Sequence, residues 1–361
     1  MKIESLRLRD WRNIASAHLE KCGQFVVLHG NNGMGKSNIL ESLYVLCSLK
    51  SFRDHQPRNL VRKGMSGAQI EAGVISNYGT RKLVWGYNQK GRSIFLDGIP
   101  CKNLGSWFNI VRSVLFCPDQ TEIVRGRPEL RRNFLDRARF TASPAYLSLI
   151  RTYNKVLDQK KALLKNNDDG GQLDIWNEQL VTYGVRIAIQ RQMILKELEG
   201  PFQEMHNFIA GKEKVSLRLT GISGTTPEKL RETFISTLKE KRSEEIRLRR
   251  ALVGPHCDDI KILLDGAVAK KFASQGQTRS IVISLKLAEV EAARRRGDTP
   301  IFLLDDLSSE LDRDRTQKLL RMLAERDNQI WITTTDPSYL GSLPMSLLSR
   351  WYVEDGVVKR N

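Results

Sequence analysis

The feature that most constrains the fold is the segment at residues 30–37, which reads Gly30-Asn31-Asn32-Gly33-Met34-Gly35-Lys36-Ser37. The spacing G-x-x-x-x-G-K-[ST] is typical of a phosphate-binding loop between a buried strand and a helix. An apolar run at 25–28 precedes the loop, and apolar residues at helical spacing follow it from 39 to 46. A glycine-rich turn alone would be unspecific. With the lysine, the serine and both flanking elements, the segment predicts a nucleotide site in an α/β protein.

The residue types in this loop suit ATP and Mg²⁺. Glycines at 30, 33 and 35 allow positive φ, so that backbone N–H groups can turn toward a phosphate. The helix that begins at Lys36 adds the positive end of its dipole. We expect Lys36 to reach the β- and γ-phosphates and the Ser37 hydroxyl to hold Mg²⁺. The adjoining Asn38 completes the predicted nucleotide-binding segment.

A second motif, at residues 301–306, predicts the other half of the hydrolytic site. The apolar strand at 301–304 ends in Asp305 and Asp306, which is the Walker B pattern. A buried strand fixes its terminal carboxylates, so Asp305 is predicted to orient Mg²⁺ through water. Asp306 is predicted to position or deprotonate the attacking water.

The segment Ser274-Gln275-Gly276-Gln277 lies directly before a predicted helix at 277–295, about 30 residues ahead of Asp305. It resembles the signature loop of ABC-type ATPases, Ser-Gly-Gly-Gln and its variants. That resemblance implies that the loop faces ATP held by a second subunit, so that ATP drives homodimerisation with two composite sites. An ordinary helix cap is the alternative interpretation of the segment taken alone, and its position ahead of the Walker B acids favours the signature loop.

Two further segments match this ATPase class, and two positions depart from it. Asp119 and Gln120 follow a strand where the class has its Q-loop, and residues 309–312, ending in Asp312, match the D-loop. The strand end at 333–335 carries threonines where a switch histidine is usual. Asp306 stands where most members have Glu, one methylene longer. Both departures predict slow hydrolysis, suited to a switch.

The pattern along the chain predicts an ATPase head interrupted by a helical insertion. Residues 1–127 and 251–361 alternate short strands and helices, and the first 30 residues predict a β-meander at 3–8, 17–19 and 25–29. Residues 128–250 are mainly helical, with helices predicted at 128–139, 144–165, 173–198, 202–209 and 227–249 and a turn at 166–171. We therefore predict an ABC-type P-loop ATPase head, built from a β-meander and a mostly parallel sheet with flanking helices, with an inserted helical second lobe.

Net charge and cysteine spacing limit which binding partners and which cellular compartment are expected. The formal net charge is +17, of which residues 1–140 carry +12 and residues 251–361 carry none. Such a basic excess predicts an anionic partner, with nucleic acid favoured over a merely solvated basic face. Five cysteines without C-x-x-C spacing indicate reduced thiols, and no apolar run approaches the ~18 residues of a membrane span. We expect a cytoplasmic protein.

Taken together, the motifs resemble the RecF family over nearly the whole chain. Besides the nucleotide motifs, the matching segments are Asp10-Trp11-Arg12-Asn13, Ser51-Phe52-Arg53, Pro118-Asp119, residues 124–128, 131–136 and 159–164, and Gly254-Pro255-His256-Cys257-Asp258-Asp259. Cys257 departs from the family pattern, which has Arg or Lys there. The resemblance implies a bacterial ATPase of recombinational repair that dimerises with ATP and binds DNA at gaps and single-/double-strand junctions. It also implies that the protein helps RecO and RecR to load recombinase.

The basic N-terminal half offers candidates for sequence-independent contact with DNA phosphates. The basic residues in the polar connection at 52–63 and the turn at 80–82 are Arg53, Arg58, Arg62, Lys63, Arg81 and Lys82. For any single one of them, a solvated charge is the simpler interpretation.

Three other functions share parts of this pattern. The ATPase subunit of a membrane transporter is the main alternative, but the absent histidine, the altered signature and the basic charge disfavour it. A structural chromosome protein of the SMC type would need hundreds of residues of heptads, for which the arm leaves no room. A small-molecule kinase would not need the signature-like segment.

Overall fold

The computed structural model describes residues 1–77, 79–166, 171–307, 312–341 and 343–361. Contacts divide the chain into two compact units. The first unit contains Met1–Gln120, Phe208–Gly211 and Val282–Asn361, and the second contains Thr121–Asn207 and Lys212–Ile281. Among the residues that the structure describes, no helix combines the length and the apolar composition that a membrane span needs.

Strands make up most of the first unit, with helices between some of them, whereas helices dominate the second. The described strands are β1 (Lys2–Trp11), β2 (Ile14–Leu19), β3 (Phe25–His29), β4 (Gly67–Ser76), β5 (Gly79–Asn88), β6 (Gly91–Leu96), β7 (Ile99–Pro100), β8 (Ser113–Phe116), β9 (Val215–Thr220), β10 (Asp259–Leu264), β11 (Ala267–Val268), β12 (Ile301–Leu304), β13 (Ile330–Thr334), β14 (Leu348–Glu354) and β15 (Val357–Arg360). The described helices are α1 (Lys36–Ser48), α2 (Leu104–Ile110), α3 (Glu122–Arg125), α4 (Pro128–Ala142), α5 (Tyr146–Asn166), α6 (Gln172–Ala210), α7 (Pro227–Leu248), α8 (Ala269–Phe272), α9 (Gln275–Arg295) and α10 (Arg313–Ala324).

The first unit contains an antiparallel sheet with the strand order β2-β1-β4-β5-β6-β7. Strand β1 buries Ile3, Leu6, Leu8 and Trp11, and the step of three between Ile3 and Leu6 coincides with a register shift in its pairing with β4. The predicted meander is wrong in its third strand, because β3 lies in a different sheet. Four consecutive residues of β3 are buried, which is typical of a strand covered on both faces rather than of an open meander.

The second sheet of this unit has the order β15-β14-β3-β13-β12-β8. All neighbours are parallel except β14 and β15, which pair antiparallel at one edge. Because parallel strands end at the same edge, the loops after β3, β8, β12 and β13 meet there. This edge positions the phosphate-binding loop, the Walker B acids and the Q-loop segment.

Helix α6 runs through a proline at which the sequence predicted a break. Helices were expected at 173–198 and 202–209, but Gln172–Ala210 forms one helix with Pro201 inside it. Proline removes one backbone donor and crowds the preceding turn. The turn after Pro201 nevertheless buries Phe202 and His206 completely, and this tertiary packing offsets the local penalty. The predicted turn at 166–171 falls largely on residues 167–170, outside the described residues.

A three-stranded sheet in the second unit changes the expected domain boundary. Strand β9, which the sequence did not predict, pairs antiparallel with β10 from Thr220–Asp259 to Val215–Leu264. Because of this pairing, residues 251–281 group with the helical part of the chain, whereas the sequence assigned them to the head. The head at 1–127 and 251–361 and the arm at 128–250 remain our proposal for the functional lobes.

Candidate nucleotide-binding site

The phosphate-binding loop takes a conformation that requires glycine at two positions. Gly30 and Gly35 have φ of 144° and 113°, in the region that side chains disfavour. A Cβ atom at Gly30 would lie 2.3 Å from the Val353 carbonyl oxygen of β14. At Gly35 it would lie 2.9 Å from the Asn13 side chain. The loop is therefore closely packed between the N-terminal hairpin and β14.

Lys36 begins α1 with its ammonium group folded into the loop. Its Nζ donates to the carbonyl oxygens of Gly30 and Asn31, both at 2.7 Å. Burial lowers the pKa of Lys36, and the nearby carboxylates of Asp306 and Asp305 counteract this effect. A phosphate in the loop would offer the same ammonium a charged acceptor in place of two neutral ones.

Asp305 is brought together with Ser37 and with a threonine from the neighbouring strand. Its backbone N–H donates to Phe116 O at 2.9 Å, and its Oδ1 accepts from the Thr333 hydroxyl at 2.7 Å. Burial raises the pKa of Asp305, while hydrogen bonds from Ser37 and Thr333 act in the opposite direction. The two Walker motifs therefore meet at the carboxyl edge of the parallel sheet.

Asp306 adopts left-handed backbone geometry, with φ of 51°. Its N–H donates to Thr333 Oγ1 at 2.8 Å, which fixes this conformation. A non-glycine residue in this region costs on the order of 1 kcal/mol, and aspartate is one of the residues that adopts it most readily. Thr333 thus supports both Walker B acids, a role that the sequence analysis missed because it compared this strand end only with a histidine pattern.

Replacing Thr333 with valine should lower ATP turnover about tenfold while leaving ATP binding largely intact. Valine keeps the shape but removes the hydroxyl that accepts from the Asp306 N–H and donates to Asp305, at a cost of about 1–3 kcal/mol. We expect this loss to misplace the acids and slow the chemical step. Steady-state hydrolysis and nucleotide titration measure the two effects separately.

Thr334→Val is the matched control for this substitution. Among the described residues the Thr334 hydroxyl bonds only locally, donating to Asp336 O at 3.0 Å and accepting from Asp336 N at 3.1 Å. We expect turnover close to that of the unsubstituted protein. Equal turnover in the two variants would show that Thr333 does not support the acids.

The site also fits a magnesium ion, for which oxygen ligands are required. Ser37 and Asp305 supply a hydroxyl and a carboxylate that are already adjacent. Gln120 Oε1, four residues after β8, is buried but has no hydrogen-bond partner among the residues that the structure describes. A buried acceptor without a partner is costly unless something binds it, and a cation or its water shell would satisfy this oxygen.

The segment Asp10-Trp11-Arg12-Asn13 packs against the phosphate-binding loop and the start of α1. Trp11 Nε1 donates to Asn38 O at 2.7 Å, and Asn13 bridges Met34 O and the Asn38 side chain at 3.3 and 2.8 Å. Gly356 N, after β14, donates to Met34 O at 3.0 Å. The conformation of the loop therefore depends on residues from two distant parts of the chain.

Arg12 anchors the helix that the loop begins. It forms two hydrogen bonds to Glu41, at 2.9 and 2.7 Å, and the Glu41 side chain is fully buried. The hydrogen bond to Glu41 is the main reason that the pKa of Arg12 is raised, against the opposing effect of burial. The pair ties α1 to the N-terminal hairpin.

The six basic residues proposed for DNA lie in different environments. Arg53 donates to Asn38 Oδ1 at 3.1 Å, and its charge partly opposes the rise that burial causes in the pKa of Asp305, so it lies beside the nucleotide site. Arg62, Arg81 and Lys82 pair with Asp10, Asp97 and Glu71 at 3.0, 3.1 and 2.9 Å. Arg58 and Lys63 are exposed. Contact of these residues with DNA remains a proposal.

The structure places the remaining predicted residues at the ends of helices and turns. Asp119 and Gln120 form part of a 3-10 turn, Pro118–Thr121. Asp312 caps α10 by accepting from Arg315 N at 2.9 Å, and residues 309–311 lie outside the described residues.

The signature-like segment of the second unit is a reciprocal helix cap at the start of α9. Ser274 Oγ accepts from Gln277 N at 3.1 Å, and Gln277 Oε1 accepts from Ser274 N at 2.9 Å. This is the capping-box arrangement. Because the Ser274 oxygen accepts in this bond, its own hydrogen remains for another acceptor.

The family of this chain follows from relatives that match it over nearly its full length. No family model matches the chain. The chain is 34% identical over 367 residues to DNA replication and repair protein RecF of Geotalea daltonii, covering 99% of this chain and all of that protein. It is 36% identical to the protein of the same name from Geobacter metallireducens, covering 99% of each. The chain belongs to the RecF family.

Solved structures agree with this assignment to the RecF family. The recombination mediator protein RecF in complex with ATP superimposes with a TM-score of 0.90 at 28% identity, covering 99% of this chain and 97% of that one. An Smc head domain from Pyrococcus furiosus superimposes with a TM-score of 0.57 at 16% identity, over 99% of this chain and 95% of that one. The second similarity shows the fold alone, and both confirm the predicted ABC-type ATPase head.

The other motifs of the RecF family form a buried polar network in the second unit. Arg191 makes two hydrogen bonds to Asp136, both at 2.8 Å, and one to Asp258 at 3.0 Å. Burial opposes its charge, but these carboxylates keep the pKa of Arg191 above its ordinary value. Arg131 likewise pairs with Asp259 at 2.7 and 2.9 Å. These motifs join α4, α6 and β10.

The Gly-Pro-His segment closes the same network. A Cβ atom at Gly254 would lie 2.5 Å from the Tyr153 hydroxyl, which itself bonds His256 Nδ1 at 2.7 Å. Burial lowers the pKa of His256 to about 4, so the ring stays neutral near neutral pH. Cys257, by contrast, is exposed, so the position where the RecF family has Arg or Lys lies on the surface of this network.

Proposed function

We propose that this protein is an ATP-switched DNA-binding protein of recombinational repair and replication-fork maintenance. ATP joins two copies of the chain, and slow hydrolysis releases them. The observation that supports this proposal most strongly is that the Walker A and Walker B segments lie together in a chain that matches RecF proteins over nearly its full length. The proposal places the protein in the bacterial cytoplasm and, by family, beside RecO and RecR in loading recombinase.

The proposed reaction is an in-line attack of water on the γ-phosphate. The loop N–H groups and Lys36 hold the phosphates, and Asp306 accepts the proton of the attacking water as the bond to ADP breaks. Mg²⁺ bound by Ser37, Asp305 and Gln120 would neutralise developing charge on the phosphate oxygens. Thr333 positions the two acids differently. Its hydroxyl donates to the side chain of Asp305 and accepts from the backbone N–H of Asp306.

Two features support slow turnover. Asp306 has a short side chain on a backbone that is already fixed by Thr333, so its reach toward water is limited. Thr334, at the end of β13 where the class has its switch histidine, bonds Asp336 instead. A nucleotide site of this kind suits a clamp with a long lifetime.

DNA contact is proposed through phosphates. The net charge of +17 favours an anionic partner, and the exposed Arg58 and Lys63 lie in the polar connection at 52–63, after α1. In an ATP-joined dimer, both copies would present this segment, which doubles the charge available to a duplex or a gap junction.

Binding to a gapped duplex should weaken steeply with salt and show little preference for sequence. Each phosphate contact contributes about 0.9 to the slope of log affinity against log salt, so Arg58→Ala with Lys63→Ala should reduce the slope by about 2 per chain. Fluorescence anisotropy with labelled junction DNA, in the presence of ATP, measures this slope.

A pair of exposed basic residues on α10 provides the control. Lys318→Ala with Arg321→Ala removes the same charge from another surface and should change the slope little. A flat salt response of the unsubstituted protein would rule out phosphate contact. Equal slopes for the two double variants would remove the 58–63 segment from the interface.

A further inference from the structure

We infer that Glu213 is a positioning residue for the signature-like segment and that, through Gln277, it holds Ser274 in the geometry that a second copy needs. The inference rests on the proposed ATP-joined dimer for its purpose, but its structural part stands on contacts within one chain. Glu213 lies in none of the ATPase motifs, in the short connection between α6 and β9.

A continuous chain of hydrogen bonds leads from Glu213 to the segment. Gln277 Nε2 donates to Glu213 Oε1 at 2.8 Å. The other end of the same amide, Oε1, accepts from Ser274 N at 2.9 Å, and Gln277 N donates to Ser274 Oγ at 3.1 Å. Both ends of the Gln277 side chain are therefore committed, so the amide cannot turn without breaking the cap.

Glu213 is itself held by α6. His206 Nε2 lies 3.1 Å from Glu213 Oε2, and because a carboxylate only accepts, the ring nitrogen is the donor. The backbone of the connection is clamped by Gln203, which donates to Glu213 O at 3.1 Å and accepts from Val215 N at 2.8 Å. The His206 side chain is fully buried, so the chain of bonds begins at a side chain that is shielded from solvent.

The charge at Glu213 is suited to this position. A carboxylate accepts from His206 with one oxygen and from Gln277 with the other, and bonds to an ionised acceptor are stronger than neutral ones. A capping side chain without such support stabilises the helix less, since a half-buried glutamine such as Gln277 still has several rotamers available. Glu213 thus selects the Gln277 rotamer that completes the capping box.

The first test is the association of two chains in ATP. Glu213→Ala should weaken dimerisation in a slowly hydrolysed ATP analogue about tenfold by sedimentation, and should leave nucleotide affinity of the dilute monomer unchanged. Glu213→Gln keeps an acceptor for Gln277 and should restore most of the association. Gln190→Ala is the matched control, because it also removes a side-chain acceptor: Gln190, on α6, accepts from Arg139 Nε. We expect this variant to associate normally.

A thermodynamic cycle distinguishes positioning from a general loss of stability. If Glu213 acts through Gln277, the double variant Glu213→Ala with Gln277→Ala should be no weaker than Gln277→Ala alone. Additive losses, or a fall in monomer nucleotide affinity equal to the fall in dimerisation, would overturn the inference.

Hydrogen exchange tests the same contact without a dimer. In Glu213→Ala the amides of Ser274 and Gln277 should exchange severalfold faster, because both lose protection when the capping box opens. Unchanged exchange would refute the positioning role. If the unsubstituted protein forms no dimer in ATP, the proposed function fails, while the exchange result still decides the role of Glu213.

Discussion

Replacing Lys36 with alanine should abolish the ATP-dependent association of two chains. The ammonium group is the one side-chain cation that the loop encloses among the described residues, within 2.7 Å of two of its carbonyl oxygens. Without it, the loop keeps its N–H groups but loses the charge that attracts the β- and γ-phosphates, and we expect nucleotide affinity to fall at least a hundredfold. Sedimentation with and without ATP, in the presence of junction DNA, measures the consequence.

A control substitution distinguishes loss of the nucleotide site from loss of the folded protein. Lys50→Ala, just beyond the end of α1, removes an equal charge from an exposed position and should leave the response to ATP intact. Since burial already opposes the charge of Lys36, its removal should not destabilise the chain. An unchanged response of the Lys36 variant to ATP would refute this loop as the nucleotide site.

Asp306→Asn should stop hydrolysis while ATP still joins the two chains, so that the dimer is trapped. Asparagine accepts the left-handed backbone at this position more readily than most residues, and the N–H bond to Thr333 needs no carboxylate. The substitution removes the group that takes a proton from water, and this contributes about a hundredfold to ten-thousandfold to the rate of hydrolysis. Single-turnover hydrolysis and the lifetime of the dimer in ATP measure the two effects.

Asp314→Asn, on the exposed first turn of α10, controls for the change in charge and should hydrolyse ATP at the original rate. Turnover of Asp306→Asn at that same rate would show that another group accepts the proton. Rapid dissociation of the Asp306 dimer in ATP would contradict hydrolysis as the release step.

The nucleotide motifs could be predicted from sequence because each is local. The loop at 30–37 and the acids at 305–306 are specified by residues that are adjacent in the chain, so their spacing alone carries the chemistry. Thr333 could not be predicted in the same way. Its importance arises from the parallel pairing of β13 with β12, which no local pattern encodes.

The errors in the fold have the same origin. Strand β3 was expected to pair with its neighbours in sequence, but its pairing partners are β13 and β14, more than 300 residues later. Local propensity predicts a helix end at Pro201, yet α6 continues past it with Phe202 and His206 buried. In each case tertiary packing decided between locally plausible alternatives.

The close contact of the phosphate-binding loop with β14 bears on how the protein is made. Val353 O packs against Gly30, and Gly356 donates to Met34, although the loop emerges from the ribosome more than 300 residues earlier. At about 5–20 residues per second, the loop waits tens of seconds for these partners. A nascent chain therefore carries every residue of its Walker A motif long before it can bind ATP with full affinity, and nucleotide capture becomes a late event of synthesis.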